Sequence, residues 1–203
     1  MRKINLVILI SGRGSNLQAI IDAIESGLVS AEIKAVISNK PGVQGLERAK
    51  EHGVPAVVVN HKDYSDKKAY EAQLLKTIDA YNPDLICLAG YMRIVGEQII
   101  KKYRWKIINI HPALLPQFPG LHAQRQAIEA GVKKSGCTVH FVDEGCDTGP
   151  IILQKGVPVL PGDTEASLST RILTEEHKLY PKAIQLISEG RVNIKDRKVI
   201  IKE

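Results

Sequence analysis

Residues 4–26, INLVILISGRGSNLQAIIDAIES, decide the fold of this chain. The first seven residues are almost all apolar, which is typical of a strand that is covered on both faces in a parallel sheet. A glycine-rich turn follows at 11–16, and apolar residues then recur at helical spacing until Gly27, a residue type that often ends helices. The stretch therefore predicts a strand at 4–10, a tight turn and a helix at 16–26.

The same alternation of strand and helix signals continues along the chain. Apolar runs predict further strands at 32–38, 54–59, 84–89, 107–110, 136–142 and 151–157, and amphipathic spacing predicts helices at 43–52, 65–81, 123–131 and 165–189. This order predicts an α/β fold with an open, twisted, mostly parallel sheet and helices on both faces. Residues 1–203 are interpreted as one domain, with a Rossmann-like half at 1–100 and a half at 101–203 that carries the rest of a substrate cleft.

The composition is that of a globular protein with a modest positive charge. Lys and Arg number 28 against 22 Asp and Glu, which gives a net charge of +6. Such a field favours anionic ligands, although a solvated basic surface is the simpler explanation. The tail at 191–203 carries much of the excess and alternates charged and apolar residues, as a peripheral hairpin would. No basic cluster interleaved with aromatic residues is present, so a nucleic-acid partner is not predicted.

Cysteine content and apolar run length indicate the compartment. Cys87, Cys137 and Cys146 are scattered and form no Cys-x-x-Cys pair, so the sequence predicts neither a disulfide framework nor a structural zinc site. No apolar run approaches the roughly 20 residues of a membrane span. The run at 4–10 lacks a signal-peptide cleavage site. The expected location is the cytoplasm, with no membrane partner.

The turn Ser11-Gly12-Arg13-Gly14-Ser15-Asn16 is the first candidate site. It opens a helix, and the free N–H groups and dipole of a helix start favour an anion. Leu17 stands where a dinucleotide fingerprint has its third glycine, and the Gly-Lys pair of a Walker loop is missing. A mononucleotide or sugar phosphate fits this turn, and so does a plain N-cap turn made by Ser15 or Asn16.

The segment Asn109-Ile110-His111-Pro112 ends a predicted strand, where open α/β sheets bind their ligands. Asn109 and His111 are two residues apart in an extended segment, so their side chains lie on the same face. An amide and an imidazole on one face can stabilise a developing oxyanion. A core histidine bonded to backbone is the alternative interpretation of His111.

The loop DEGCDTGP at 143–150 is acidic and rich in glycine. Asp143 and Glu144 are predicted to be solvated turn residues. A carboxylate from Asp147 near His111 would stabilise the imidazolium and raise the pKa of His111. The spacing fits a simple turn aspartate at Asp147 as well, and it leaves the contact with His111 open.

The remaining histidines have weaker signals. His140 lies in a predicted strand beside the acidic loop and is expected to line the same cleft, and His122 is expected to cap the helix that starts at 123. His177 follows Glu175 and Glu176 in a helix, but no further ligands stand at a suitable spacing. The sequence therefore predicts no metal site.

Together these motifs resemble the glycinamide ribonucleotide formyltransferase family, folate-dependent enzymes of purine biosynthesis. The matching stretches are LISGRGSNLQAII, AVISNKPGVQGLERA, LAGYMRIV, INIHPALLPQFPGLHAQRQA, GCTVHFVDEGCDTGPII and TEEHKLYP, which span nearly the whole chain. The Asn-x-His-Pro and Asp-x-Gly pair is shared with other folate formyltransferases and deformylases, so it indicates the chemistry. The Gly-Ser-Asn loop and the TEEH segment indicate the ribonucleotide.

The resemblance implies the formyltransferase fold and a reaction in which 10-formyltetrahydrofolate, as co-substrate, formylates the amine of glycinamide ribonucleotide. It implies a monomer or homodimer that uses small-molecule substrates. Two positions differ from the family pattern: Ala113 replaces a Ser, and Lys67 replaces an Arg whose fork binds carboxylates in two places. The implied site residues are Asn109, His111 and Asp147 for catalysis, Gly14, Ser15, Asn16 and Glu176 for the ribonucleotide, and Lys67, Met92, Arg93, Ile94, Val95 and Asn109 for the folate.

Three alternatives remain open. Methionyl-tRNA formylation is usually accompanied by a C-terminal nucleic-acid-binding domain, and formyl-folate hydrolysis by an N-terminal regulatory domain. A length of 203 residues is not expected to accommodate either addition. The third alternative is a nucleotide-binding regulator in which Asn109 and His111 are structural.

Overall fold

The computed structural model describes residues 3–202 of the chain. Its strands are β1 (Ile4–Ile10), β2 (Ala31–Ser38), β3 (Ala56–Val58), β4 (Leu85–Leu88), β5 (Ile107–His111), β6 (Lys134–Phe141), β7 (Ile151–Pro158), β8 (Val192–Lys195) and β9 (Lys198–Ile201). Its helices are α1 (Ser15–Glu25), α2 (Gln44–Glu51), α3 (Lys67–Asp79), α4 (Glu97–Lys102), α5 (Ala123–Glu129) and α6 (Glu165–Ser188).

Strands β1 to β7 form a sheet in the order β3-β2-β1-β4-β5-β6-β7, and β8 and β9 form a separate pair. Strand β1 pairs in parallel with β2 and β4, and β2 pairs in parallel with β3. The pair β6–β7 is antiparallel. The predicted α/β fold with a mostly parallel sheet is therefore confirmed.

The chain divides into two compact units, of which the first ends at Ile108 and the second begins at Asn109. In the first unit β1 lies between β2 and β4, and its residues Leu6 to Ile10 are fully buried. Leu17 and Ile20 of α1 are also fully buried. Each such side chain contributes about 1.5–3 kcal/mol when it leaves water. The continuous apolar run at 4–10 is thus explained by a strand with no exposed face.

In the second unit the long helix α6 packs against β6 and β7. Its first turn is closed by a capping box, in which the Thr164 hydroxyl accepts the Ser167 N–H at 3.2 Å and the Ser167 hydroxyl accepts the Thr164 N–H at 3.0 Å. The two bonds satisfy backbone N–H groups that have no partner within the helix. The predicted peripheral hairpin is confirmed, because β8 and β9 pair antiparallel around a turn at Asp196 and Arg197.

Four details differ from the sequence-based expectations. Strand β3 has only three residues, and the six-residue helix α4 was not predicted because it is too short to show a helical period. His122 occupies the N-cap position of α5, but its side chain makes no capping hydrogen bond. Asp143 is buried, whereas a solvated turn residue was expected there.

No helix among residues 3–202 is long and apolar enough to cross a membrane.

Candidate active site

Asn109, His111 and Asp147 meet in the second unit. The Asn109 Nδ2 atom donates to Asp147 Oδ1 at 3.4 Å, and His111 Nδ1 lies 3.3 Å from Asp147 Oδ2. Asn109 and His111 both belong to β5 and reach the same carboxylate, which confirms that their side chains lie on one face. The contact between His111 and Asp147, which the spacing left open, is formed.

The Asp147 carboxylate is held from several sides. Gly120 donates its backbone N–H to Oδ2 at 2.8 Å, and His140 Nε2 lies 3.5 Å from Oδ1. Burial works to raise the pKa of Asp147, but the contacts with His140 and Gly120 and the electrostatic effect of His111 outweigh it and lower that pKa to about 2. Asp147 is therefore ionised at neutral pH.

His111 is only 4% exposed, and both of its ring nitrogens face acceptors. Its Nε2 atom lies 2.8 Å from the Phe118 carbonyl oxygen. Because a carbonyl can only accept, a proton occupies Nε2. Burial lowers the pKa of His111 more than Asp147 and the Phe118 carbonyl raise it, so the pKa lies below the usual 6.5. Asp147 does raise the pKa of His111, as expected, but the loss of hydration disfavours the imidazolium more strongly, so the net shift is downward.

His140 stands beside the same three residues. Its Nδ1 lies 2.8 Å from the Phe141 carbonyl oxygen, and its Nε2 lies 3.3 Å from Asn109 Nδ2. His140 is 2% exposed. His140 lies beside the cluster of Asn109, His111 and Asp147, as its position in a strand beside the acidic loop indicated, although no motif singled it out for a role.

A pocket of about 220 Å³ opens next to Asp147. Its walls are mainly apolar and the Asp147 carboxylate supplies the charge. Such a combination of apolar walls and few polar groups is typical of small-molecule sites. The lining residues are Leu115, Pro116, Pro119, Cys146, Asp147, Thr148, Gly149 and Ile151.

The glycine-rich turn in the first unit leads directly into α1. Gly14 is the N-cap residue with φ of 72°, and no side chain makes a capping hydrogen bond. The alternative of a plain N-cap turn by Ser15 or Asn16 is therefore not realised. A Cβ atom at Gly14 would lie 2.7 Å from the Gly45 Cα atom, so a glycine is required for space as well as for φ. The turn leaves the start of α1 with the N–H groups and dipole that bind anions.

The segment from Met92 to Val95 follows β4 and lies near that turn. The Met92 N–H donates to the Ser11 hydroxyl at 2.8 Å, and the Ser11 hydroxyl donates to Asn39 Oδ1 at 2.5 Å. The chain order reverses between β1 and β4, and open α/β sheets bind ligands at such a point. Met92 and Ile94 are exposed, and Val95 is buried.

Three more residues of the family pattern have defined surroundings. Lys67 begins α3, and its ammonium lies 3.4 Å from Glu71 Oε1. The Arg93 guanidinium stacks 5.0 Å above the Tyr70 ring. Glu176 lies in the second unit, on α6, and is buried. Within residues 3–202 there is no group of three or more His, Cys, Asp or Glu side chains suited to a metal ion.

Comparison with known proteins places these features in a family. Residues 4–184 match the model of the Formyl transferase family. The phosphoribosylglycinamide formyltransferase of Escherichia coli is 44% identical over 190 residues, which cover 94% of this chain and 90% of that protein. The human trifunctional purine biosynthetic protein adenosine-3 is 47% identical over 193 residues, and its Drosophila melanogaster counterpart is 51% identical over 191 residues. The chain spans 14% to 19% of the length of these two trifunctional relatives.

Solved structures agree with the sequence relatives. Glycinamide ribonucleotide transformylase 1 from Symbiobacterium toebii superimposes with a TM-score of 0.97 at 51% identity, over 99% of this chain and 95% of that one. A formyltetrahydrofolate deformylase from Pseudomonas syringae superimposes with a TM-score of 0.92 at 29% identity, over all of this chain and 67% of that one. The chain therefore belongs to the formyl transferase family, within its group of phosphoribosylglycinamide formyltransferases.

Proposed function

We propose that this protein transfers the formyl group of 10-formyltetrahydrofolate to the amine of glycinamide ribonucleotide, a step of purine biosynthesis. The observation that carries the proposal is the convergence of Asn109, His111 and an ionised Asp147 beside an apolar pocket. The relatives support the acceptor, because the E. coli and Haemophilus influenzae proteins are phosphoribosylglycinamide formyltransferases at 43% to 44% identity.

The reaction needs no covalent enzyme intermediate. The amine attacks the formyl carbon and forms a new C–N bond, and the formyl oxygen becomes an oxyanion. The bond between that carbon and the folate nitrogen then breaks, and the folate nitrogen takes a proton. Asn109 and His111 each donate a hydrogen bond to the oxyanion, and a donor of this kind contributes about 3–4 kcal/mol.

His111 acts as a neutral donor in this scheme. Its Nε2–H already exists and is bonded to the Phe118 carbonyl at 2.8 Å. When the substrates bind, the His111 Nε2–H must leave the Phe118 carbonyl and donate to the oxyanion instead. Such a change is common, because catalytic hydrogen bonds often reach their productive geometry only in the complex. A growing negative charge on the substrate raises the pKa of the imidazole during the step. A neutral imidazole with a lowered pKa is an established electrophile in other enzymes.

Asp147 acts electrostatically. With a pKa of about 2 the carboxylate is a weak base, so it does not hold a proton at neutral pH. Its charge stabilises the positive charge that develops on the attacking amine. Water between the two nitrogens carries the proton from the amine to the folate. A carboxylate with a higher pKa could accept this proton from the amine and pass it on to the folate nitrogen. Asp147, with a pKa of about 2, does not.

The remaining site residues complete the proposal. The start of α1, with Gly14, Ser15 and Asn16, binds the ribonucleotide phosphate, and Glu176 binds the ribose hydroxyls. Met92, Arg93, Ile94, Val95 and Asn109 bind the folate pterin, with Lys67 toward its carboxylate tail. Direct attack by an amine requires no metal. A cytoplasmic location, a monomer or homodimer, and the absence of nucleic-acid and membrane partners stay predictions.

Formyl-folate hydrolysis is the second candidate, favoured by the superposition on the Pseudomonas syringae deformylase. In that reaction water replaces the amine, and the same oxyanion donors serve. The two reactions differ in whether the folate product forms without the ribonucleotide.

A formyl-transfer assay tests the proposal. Purified protein is mixed with 10-formyltetrahydrofolate and a chelator, with and without glycinamide ribonucleotide, and the folate absorbance is followed. We expect turnover only with the ribonucleotide. The variants Asn109→Ala and His111→Ala should each lower kcat by about 10²–10³, whereas His122→Ala, which removes an exposed histidine, serves as the control. Folate release without the ribonucleotide would indicate a hydrolase, and near-normal turnover in both variants would refute the scheme.

A further inference from the structure

The C-terminal hairpin reaches the loop that carries Asp147. This loop, residues 143–149, is named the Asp147 loop below. Arg197, at the turn between β8 and β9, donates from Nη2 to Asp143 Oδ2 at 2.6 Å and to the Thr148 carbonyl oxygen at 3.4 Å. The two ends of the Asp147 loop are thus bonded to one side chain that lies about fifty residues further along the chain.

Asp143 anchors the Asp147 loop from inside. Its side chain is 4% exposed. Its Oδ1 atom accepts the Thr148 hydroxyl at 2.7 Å and the Gly145 N–H at 3.2 Å, which leaves Oδ2 for Arg197. A buried carboxylate is costly unless a cation or several donors compensate it. Arg197 supplies the positive charge in this set, and its hydrogen bond helps to hold the pKa of Asp143 below the ordinary value against the opposing effect of burial.

The backbone of the Asp147 loop needs such support. Asp147 has φ of 56°, in the left-handed region that costs a non-glycine residue about 1–2 kcal/mol. A conformation of this kind persists only where its surroundings hold it. At the far end of the loop the backbone is tightly packed, because a Cβ atom at Gly149 would overlap the Phe141 carbonyl oxygen.

The catalytic contacts are sensitive to the position of this loop. The Asp147 carboxylate lies 3.3–3.5 Å from His111, Asn109 and His140, which is the long end of hydrogen-bonding range. A further shift of a few tenths of an ångström would lose these contacts. The position of the loop therefore decides whether Asp147 acts on the reacting groups.

The hairpin is closed at its base by hydrogen bonds between Arg191 and Lys202. Arg191 donates from Nε to the Lys202 carbonyl oxygen at 2.8 Å, and the Lys202 N–H donates to the Arg191 carbonyl oxygen at 2.9 Å. Strand β9 also contacts β7. The match to the family model ends at residue 184, so the hairpin lies beyond the matched part of the chain.

We infer that Arg197 is a positioning residue for the reaction: from the C-terminal hairpin it clamps the Asp147 loop through Asp143 and so holds the Asp147 carboxylate against Asn109 and His111. The inference rests on the proposed function for its kinetic consequence. The claim that Arg197 holds the Asp147 loop does not depend on the proposed function, and a measurement other than activity tests it.

The kinetic test compares Arg197→Met with Lys195→Met. Both substitutions remove one cation from the same hairpin, and Lys195 is exposed. We expect Arg197→Met to lower kcat by on the order of tenfold, while both KM values change less than about twofold. The reason is that a small misplacement of a catalytic group strongly lowers the rate of the chemical step. Arg197→Lys should restore part of the loss, and Lys195→Met should behave like the unchanged protein. Equal kcat in all variants, or an equal loss in Lys195→Met, would overturn the inference.

The second readout does not depend on activity. Cys146 is exposed in the Asp147 loop, whereas Cys87 and Cys137 are buried. Burial and the nearby Asp147 carboxylate raise the pKa of the Cys146 thiol, and a released loop reduces both effects. We expect iodoacetamide to alkylate Cys146 several-fold faster in Arg197→Met than in Lys195→Met. An unchanged rate would overturn the clamp.

The two readouts separate the inference from the proposed function. If the unchanged protein transfers no formyl group, but alkylation is still faster in Arg197→Met, the clamp stands and the proposed function fails. If transfer occurs and neither kcat nor alkylation responds to Arg197, the proposed function stands and the clamp fails. Arg197→Met leaves the buried Asp143 carboxylate without its cation, so its thermal midpoint is expected to fall below that of Lys195→Met. Both kcat and the alkylation rate are therefore compared at a temperature well below either midpoint, where both variants are fully folded. A kcat of Arg197→Met equal to that of Lys195→Met under these conditions would assign Arg197 a merely structural role and overturn the inference.

Discussion

Replacing Asp147 by Asn tests how strongly the folded protein holds this carboxylate. In the structure Oδ2 accepts the Gly120 N–H and faces His111, while Oδ1 accepts from Asn109. An asparagine can keep the bond from Gly120 with its one oxygen. Its NH₂ group then faces the NH₂ group of Asn109, and two donors meet without an acceptor. The substitution removes the charge and spoils part of the hydrogen bonding.

The size of the effect follows from the pKa of Asp147. That pKa falls from the ordinary 3.8 to about 2 on folding, and the difference corresponds to about 2.4 kcal/mol at about 1.4 kcal/mol per pH unit. Because the folded pKa is depressed, this stabilisation is fully present above pH 3.8 and is lost as the pH falls through 2. At pH 3 about 1.3 kcal/mol of it remains.

Urea unfolding at pH 7 and pH 3 measures the difference. We expect Asp147→Asn to be about 2 kcal/mol less stable than the unchanged protein at pH 7, and the gap to shrink to about 1 kcal/mol at pH 3. Glu144→Gln is the matched control, because it removes an exposed carboxylate from the same loop and should stay within about 0.5 kcal/mol at both pH values. A gap that is near zero at pH 7, or equal at both pH values, would refute the argument that the ionised form of Asp147 is held.

Three further predictions concern other parts of the site. The NMR titration of His111 should give a pKa below 6.5, and Asp147→Asn should lower it further because the carboxylate raises it; a value above 6.5 would contradict the argument that burial outweighs the carboxylate. Gly14→Ala should lower the free energy of unfolding in urea by about 2–4 kcal/mol, because the left-handed φ is strained for alanine and its Cβ would collide with Gly45. An unchanged midpoint would contradict this. Ser11→Ala should raise the KM for the folate more than kcat falls, because Ser11 holds the Met92 N–H; a change in kcat alone would contradict it.

The architecture and the elements around the site could be predicted from the sequence. An unbroken apolar run at 4–10 requires a strand with no exposed face, and helical periodicity separates α1 from it. The glycines at 12 and 14 marked the turn between them. The placement of Asn109 and His111 on one face followed from the two-residue period of a strand. These features depend on residues within one or two turns of each other, where covalent geometry and side-chain spacing dominate.

Short elements escaped the same reasoning. Helix α4 has six residues, fewer than two turns, so its apolar residues cannot show a period. The burial of Asp143 was missed because an acidic, glycine-rich stretch is typical of a solvated turn. Nothing near Asp143 in the sequence shows that Arg197 lies beside it.

By itself the sequence determined the α/β alternation, the glycine turn before α1 and the pair of side chains at the end of β5, because local patterning and backbone preference suffice for each. The tertiary structure decided the contact between His111 and Asp147, the direction of the His111 pKa and the reach of Arg197 to the Asp147 loop. Each of these depends on which distant segments pack together. Once they pack, the loss of water around His111 outweighs the attraction of its carboxylate partner, and a pattern of residue types does not encode that balance.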